Sequence, residues 1–232
     1  MPFLDGGKMI ACLFSGGKDS TLALHRVMES GRNVDLLISM VSKNDYSYMF
    51  HKPNVMLTRL QAQAMGIKHE FFNTEGEKEA ELAELEAAIV GSGATAVITG
   101  ATASEYQKKR IDRICEEHGI EHIAPLWQID PVEELNEISD RFEAIITRVA
   151  AEGLDDTFLG KRIDSNMIRR LQALHDKYGI NMTFEGGEAE SFVLDAPLFK
   201  RRIQISGAHI EHNLDEGTYV IEGAILVDKQ SV

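Results

Sequence analysis

The chain has 232 residues, of which 44% are hydrophobic and 26% are charged, a composition typical of a globular protein with a substantial core. Its 37 acidic and 24 basic residues give a net charge of -13, which disfavours a nucleic-acid partner held mainly by electrostatics. No apolar run approaches the roughly 20 residues that span a bilayer, and no secretory signal is evident. We therefore expect a cytoplasmic protein without a membrane partner, in which the two cysteines, Cys12 and Cys115, are buried thiols.

The first half of the chain alternates short apolar runs with longer amphipathic segments. The apolar runs predict strands at 9–14, 34–41, 68–73 and 96–100. The segments between and after them predict helices at 21–30, 55–65, 77–90 and 104–118. Glycines at positions 31, 66, 119 and 179 each follow a helical pattern, as a left-handed helix end requires. This alternation predicts an α/β fold with a parallel sheet covered by helices.

The pattern changes after the segment PLWQIDP. Helices are predicted at 132–142 and 165–178, and the chain beyond Met182 is rich in strand-forming residues. It ends in RIQISG and in TYVIEGAILV, for which we predict a hairpin. The sequence thus predicts an N-terminal domain at 1–129 and a smaller α+β domain at 130–232, with Trp127 in the core or at the junction.

The stretch MIACLFSGGKDST ends an apolar run in a turn of serines and glycines. Gly16 and Gly17 allow the backbone N–H groups to approach an anion, and the positive end of the following helix favours a phosphate there. The Walker pattern fails, because Cys12 stands at its first glycine and Asp19 follows Lys18. A tight strand-to-helix turn that binds no ligand is the alternative interpretation.

At SGGKDS the sequence resembles the pyrophosphate loop, or PP-loop, of the N-type ATP pyrophosphatases, which convert ATP to AMP and pyrophosphate. The resemblance implies a Rossmann-like N-terminal domain of the adenine nucleotide alpha hydrolase kind, with ATP as cofactor. It also implies that Met40 and Gly100 lie beside the nucleotide. The residues implied to hold the pyrophosphate end of ATP are Ser15, Gly16, Gly17, Lys18, Asp19 and Ser20.

Three further stretches narrow the resemblance: YMFHKPN at 48–54, ITGATASEYQKKRIDRICEEHGIEHIAPLW at 98–127, and FEGGEAESFVLDAPLF at 184–199. Together with the PP-loop they resemble the diphthine–ammonia ligases in their short archaeal-type form, over nearly the whole chain. Ala189 and Ser191 depart from the family pattern EGGEYET. Serine in place of threonine keeps the hydroxyl, whereas alanine in place of tyrosine removes an aromatic ring.

That family uses ATP to adenylate the carboxylate of diphthine, a modified histidine of elongation factor 2, and ammonia then displaces AMP to form diphthamide. The resemblance implies Mg²⁺ at the phosphates, with Asp19 as a ligand and Lys18 as a positive charge beside them. Arg110 would hold a phosphate or the substrate carboxylate. The residues implied to bind the substrate are His51, Asn54, Tyr106, Gln107, Arg110, Glu185, Gly186, Gly187, Glu188 and Glu190.

The acidic loop EGGEAE suggests a further role from its charge alone. Ammonium and the quaternary ammonium of diphthine are both cations, which the three glutamates would attract. We therefore take Glu188 as a catalytic base that removes a proton from ammonium. The alternative is that these glutamates form a solvated surface loop.

Other functions remain open at the level of sequence. A PP-loop enzyme that modifies tRNA is disfavoured by the acidic charge and by the lack of a CxxC motif. Amidation of another carboxylate is not excluded, because one fold serves many substrates. A module that binds ATP without chemistry is the third alternative. We expect free ammonia as the nitrogen source and no structural zinc, and a homodimer is consistent with the sequence.

Overall fold

The first sheet contains five parallel strands in the order β3-β2-β1-β4-β5. It is seen in a computed structural model that describes residues 8–42, 54–76, 78–213 and 216–229. The strands are β1 (Ile10–Leu13), β2 (Leu36–Ser42), β3 (Lys68–Thr74), β4 (Ala96–Ile98) and β5 (Glu121–Ile123). The chain runs outward from β1 to β3 on one side and then continues through β4 and β5 on the other. The carboxyl ends of β1 and β4 therefore flank the topological switch point, where open α/β sheets bind their ligands.

Helices connect these strands, as the alternating pattern predicts. They are α1 (Lys18–Glu29), α2 (Thr58–Met65), α3 (Lys78–Gly91) and α4 (Glu105–Glu117), and a 3-10 turn at Val55–Leu57 precedes α2. The α/β prediction is confirmed, although α1 begins three residues before the predicted start because the cap falls at Gly17. All four glycines expected at helix ends have positive φ angles, between 66° and 89°.

The second sheet is antiparallel, in the order β7-β6-β9-β8. Its strands are β6 (Glu143–Val149), β7 (Ala189–Asp195), β8 (Arg201–Asn213) and β9 (Glu216–Asp228), and its helices are α5 (Pro131–Arg141) and α6 (Ser165–Tyr178). The side chains of Asp130 and Asp164 cap α5 and α6 by accepting hydrogen bonds from first-turn N–H groups.

The predicted hairpin within TYVIEGAILV is wrong. The whole segment belongs to the single strand β9, which pairs along its length with β8. Gly223 does not turn the chain; it lies opposite Gly207, beside an irregularity in the register. A glycine is tolerated within a strand at such a position. The hairpin instead joins β8, which contains RIQISG, to β9.

One hydrophobic cluster links the two sheets. It includes Cys12 and Ile98 of the first sheet and Ile146 and Val193 of the second, all of them buried. Cys12 and Cys115 are both free and buried, as predicted. Burial raises the pKa of the Cys115 thiol to about 11. No helix in the described ranges is long and apolar enough to cross a membrane.

Candidate active site

A cavity of about 500 Å³ lies at the carboxyl ends of the parallel strands. Its lining combines the PP-loop after β1, the ends of β2 and β4, the start of α4, and the acidic loop 184–190 that precedes and enters β7. The structure therefore brings together stretches that the sequence separates by more than 150 positions. Among the predicted site residues, the lining contains Ser15, Gly17, Lys18, Asp19, Ser20, Met40, Asn54, Gly100, Tyr106, Gln107, Glu185, Gly186, Gly187 and Glu190.

The PP-loop can be built only with glycine at position 16. Gly16 has a φ of 78°, and a Cβ atom there would lie 2.3 Å from Oε1 of Gln61 and 2.8 Å from Cγ2 of Thr58. Gly17 caps α1 without a side chain, so the first-turn N–H groups receive no hydrogen bond from an N-cap side chain. The hydroxyls of Ser15 and Ser20 lie 3.1 Å apart across this turn. The donor set fits a phosphate group.

Gly100 allows the chain after β4 to pack closely against the PP-loop. A Cβ atom there would lie 2.7 Å from the carbonyl carbon of Asp19 and 2.7 Å from the backbone nitrogen of Ser20. The chain after β4 therefore touches the first turn of α1 directly. Met40 is buried in β2 and contributes to an apolar part of the lining that also contains Ile38, Leu85 and Ile111.

Lys18 is buried, with its side chain only 1% exposed. Its ammonium donates to the carboxylate of Asp19, to Oε1 of Glu134 at 3.0 Å and to the carbonyl oxygen of Thr183 at 2.8 Å. Burial lowers the pKa of Lys18, but the charges of Asp19 and Glu134 more than offset it, so the pKa lies above its usual value. Burial raises the pKa of Glu134, against the opposing charge of Lys18. Lys18 thus points toward the second sheet and α5 as well as lining the cavity.

Asp19 offers the candidate metal ligand. Its side chain is 34% exposed and lines the cavity beside the open end of α1. Within the described ranges, no group of three or more His, Cys, Asp or Glu side chains could hold a metal ion by itself. This donor set fits Mg²⁺, which commonly binds one or two carboxylates and completes its shell with phosphate oxygens and water.

Helix α4 contains three predicted site residues, of which two line the cavity and one does not. Tyr106 and Gln107 line the cavity, and the hydroxyl of Ser104 caps the helix by accepting from the Gln107 N–H group. Arg110 lies outside the lining, with its guanidinium carbon 3.5 Å from the centre of the Tyr106 ring. This cation–π contact holds the ring at the cavity edge, where Tyr106 is 39% exposed. Trp127 also lies outside the lining, near the ammonium of Lys108.

The three glutamates of the acidic loop 184–190 lie in different surroundings, and two of them line the cavity. Glu185 lines the cavity and accepts hydrogen bonds from the backbone N–H groups of Thr102 and Ala103, at 3.0 and 3.3 Å. Glu190 also lines the cavity and forms an ion pair with Arg148 at 3.3 Å. The loop begins at Phe184, whose φ of 67° is rare for an aromatic residue.

Glu188 does not take the position expected for a base at the cavity. It lies outside the lining, and its Oε1 accepts the N–H group of Asn181 at 2.9 Å. Its Oε2 is buried and makes no hydrogen bond within the described part of the chain. The side chain folds back over Gly186, where a Cβ atom would lie 2.7 Å from Oε1. The tight loop turns this carboxylate toward Asn181, outside the cavity in which a base would act.

Asn54 also has a role that the sequence did not indicate. Its Nδ2 donates to the carbonyl oxygen of Tyr219 at 3.0 Å, and its Oδ1 accepts the N–H group of Ile221 at 3.1 Å. Both ends of the amide are therefore engaged with the backbone of β9, although Asn54 also lines the cavity. The other residue predicted from YMFHKPN, His51, lies outside the described residues.

The predicted site omitted several polar residues at the cavity or behind it, among them Arg148, Ser191 and Glu134. Arg148 of β6 lines the cavity and pairs with both Glu190 and Glu216. Ser191 of β7 also lines it, and Glu134 lies behind Lys18 with no exposed surface. The motif EGGEAES contained one signal, the hydroxyl of Ser191. Arg148 and Glu134 stand in segments without a motif, and only the packing of distant elements gives them a role.

Comparison with known proteins identifies the family. The sequence model of the diphthamide synthase N-terminal domain matches residues 7–122, and that of the diphthamide synthase C-terminal domain matches residues 130–227. The chain belongs to the diphthamide synthase family. The family resemblance predicted from the motifs is therefore confirmed, and with it the prediction that the chain is an enzyme.

Relatives named diphthine–ammonia ligase support the same family. The Bos taurus protein is 33% identical over 231 residues, which cover 89% of this chain and 86% of the relative. The Homo sapiens protein is 32% identical over 225 residues, covering 87% and 84%. The Schizosaccharomyces pombe protein is 30% identical, but the match covers 94% of this chain and only 39% of that longer protein.

A solved structure was also found, described as a predicted subunit of a tRNA methyltransferase from Methanocaldococcus jannaschii. It has a TM-score of 0.46 and 15% sequence identity, and the match covers 82% of this chain and 98% of that one.

Proposed function

We propose that this diphthamide synthase family member is an ATP-dependent ligase that amidates diphthine on elongation factor 2 with ammonia. One observation carries the proposal: the PP-loop and the acidic loop 184–190 line the same cavity. A site for a nucleotide phosphate thus adjoins carboxylates suited to a cationic acceptor. The relatives named diphthine–ammonia ligase support diphthine as the acceptor.

The proposed reaction has two steps. An oxygen of the diphthine carboxylate attacks the α-phosphorus of ATP and pyrophosphate leaves. Ammonia then attacks the carbonyl carbon of the acyl-adenylate, and AMP leaves with the oxygen that joined the two. The incoming nitrogen loses one proton, which is released together with AMP. Free ammonia as the nitrogen source, and a cytoplasmic location with reduced cysteines, are parts of the same proposal.

At the nucleotide end of the cavity, the backbone places hydrogen-bond donors where a phosphate group would bind. The N–H groups of the first turn of α1 that follow Lys18, together with the hydroxyls of Ser15 and Ser20, can donate to phosphate oxygens without rearranging the turn. Asp19, together with phosphate oxygens, would hold Mg²⁺, which neutralises charge on the leaving pyrophosphate. Gly100 keeps this turn in position by direct backbone contact with α1.

The acceptor end of the cavity contains acidic side chains that are held in place by neighbouring groups. Glu185 is fixed by backbone donors after β4, and Glu190 is fixed by Arg148, so neither carboxylate has to be ordered when the substrate arrives. Tyr106 adds an aromatic ring at the entrance. Carboxylates and a ring are the groups that recognise a quaternary ammonium, which diphthine carries.

The proposal is tested with the protein, Mg²⁺, ATP, ammonium and elongation factor 2 that carries diphthine. Nucleotide products are separated, and the modified peptide is weighed by mass spectrometry. AMP that appears only with the acceptor, together with conversion of the acid to the amide, supports the proposal. AMP without amidation would move the acceptor elsewhere. ADP, or ATP binding without turnover, would contradict the proposed chemistry.

A further inference from the structure

The PP-loop covers one edge of the second sheet, the edge that strand β7 forms. Strand β7 is the outermost strand of its sheet, so the backbone groups on its outer side lack a neighbouring strand. The Val193 N–H group donates to the carbonyl oxygen of Gly16 at 3.0 Å. Nε2 of Gln61 donates to the carbonyl oxygens of both Gly16 and Val193, at 2.8 Å each. The PP-loop thus serves as the missing neighbour of β7.

Ser191 extends this contact to the first N–H group of α1. The backbone N–H of Lys18 donates to the Ser191 hydroxyl at 3.0 Å, across a separation of 173 residues. At a helix start, the side chain of the N-cap residue usually accepts from the N–H group of the second or third helical residue. The N-cap here is Gly17, which has no side chain. The cap is therefore supplied by the strand that follows the acidic loop.

The fit around this cap leaves little freedom. A Cβ atom on Gly17 would lie 3.2 Å from the carbonyl oxygen of Ser191 and 3.4 Å from its hydroxyl oxygen. Ser191 lines the cavity and directly follows Glu190, the last carboxylate of the acidic loop. Of the residues that tie the PP-loop to β7, Ser191 is the one directly joined to the acidic loop, so a shift of the PP-loop reaches that loop most directly through Ser191.

We propose that Ser191 is a positioning residue that sets the acidic loop 184–190 at a fixed distance from the phosphate end of the nucleotide. The inference rests on the proposed function, because it assigns the nucleotide to the PP-loop and the acceptor to the acidic loop. Ser191 acts through the start of α1 and through Glu190. It aligns the acceptor carboxylate with the nucleotide after both have bound.

The test compares full-length variants Ser191→Ala and Ser191→Thr, with Ser206→Ala as a matched control. Ser206 is an exposed serine of β8 in the same sheet, outside the cavity lining. Ser191→Ala is expected to lower kcat for acceptor-dependent AMP formation about 10- to 100-fold, since misplacement by about 1 Å costs up to that factor. ATP affinity, measured by calorimetry without acceptor, should be unchanged. Ser191→Thr should restore kcat because it keeps the hydroxyl, and the control should match the wild type.

A second readout needs no acceptor. Hydrogen exchange is followed by mass spectrometry with and without ATP and Mg²⁺. Nucleotide should slow exchange in peptides that cover 184–193 in the wild type, in Ser191→Thr and in Ser206→Ala, but not in Ser191→Ala. This outcome would support coupling even if elongation factor 2 proved to be the wrong acceptor.

Three outcomes would overturn the inference. One is that Ser191→Ala turns over like the wild type. Another is that it loses ATP affinity as much as it loses kcat, which would make Ser191 a phosphate ligand or a general structural element. The last is that ATP leaves exchange in 184–193 unchanged in the wild type. Failure of the wild type to amidate diphthine, with protection of 184–193 retained, would contradict only the acceptor named under the proposed function.

Discussion

The contact between Gly100 and the start of α1 gives a sharp test of the nucleotide site. We consider the substitution Gly100→Ala. The new Cβ would lie 2.7 Å from the carbonyl carbon of Asp19, 2.7 Å from the nitrogen of Ser20 and 2.9 Å from the carbonyl oxygen of Asp19. These are backbone atoms of a helix, so they cannot rotate away as a side chain can. Gly100 is not among the residues with positive φ, so alanine can adopt its backbone conformation. The close contact is therefore the main expected cause of lost stability.

The size of the effect follows from the distances. Ordinary Cβ contacts begin at 3.4 Å, so α1 and the chain after β4 must separate by about 0.7 Å, the difference from 2.7 Å. Overpacking of this kind costs about 1–3 kcal/mol. For a chain of this size we therefore expect the melting temperature to fall by about 2–12 °C. A displaced PP-loop should also weaken ATP binding by about tenfold, the equivalent of about 1.4 kcal/mol.

Thermal unfolding and calorimetric titration with ATP and Mg²⁺ measure the two effects. Gly91→Ala is the matched control, because Gly91 ends α3 and a Cβ atom there would have no neighbour within 4 Å. The control should be neutral or more stable by about 0.4–1 kcal/mol. A Gly100→Ala variant that equals the wild type in both melting temperature and ATP affinity would refute the reasoning.

Three further predictions concern three of the predicted site residues and one partly buried histidine. Glu185→Gln should lower acceptor-dependent AMP formation at saturating ammonium, whereas Glu188→Gln should not, because only Glu185 lines the cavity; equal losses would contradict this. Asn54→Ala should cost about 1–3 kcal/mol in unfolding experiments, because it leaves backbone groups of β9 unpaired. Burial, assisted by Arg59, lowers the pKa of His69 to about 4. The unfolded chain therefore takes up that proton first, and about 1–2 kcal/mol of stability should be lost between pH 6.5 and 4 after allowance for partial exposure; His69→Gln should reduce that slope.

The PP-loop shows how far local sequence can lead. An apolar run, two glycines and an amphipathic segment predicted a strand, a turn and a helix, and these are present as β1, the PP-loop and α1. Each part depends on neighbours within a few residues, so the pattern is sufficient. The hairpin predicted around Gly223 failed for the opposite reason. Whether a glycine bends the chain or continues a strand depends on the partner strand, here β8 with Gly207 opposite.

The glutamates of the acidic loop show a second feature that could not be predicted from the sequence. Their charge was evident from the sequence, but not their direction. Positive φ angles at Phe184 and Gly187 shape the loop so that Glu185 enters the cavity while Glu188 folds back onto Asn181. Side-chain direction in such a loop follows from backbone angles that composition does not encode.

The α/β class, most helices and strands, and the position of the PP-loop follow from local sequence, because strand and helix periodicity and glycine conformation are local properties. Which residues complete the site depends on how distant segments pack. Ser191 caps α1 from 173 positions away, and Glu134 contacts Lys18 from 116 positions away. Hydrogen-bond donors left open by one segment are satisfied by whichever segment packs against them. That choice is made by the burial of both sheets against a common core, and no local pattern records it.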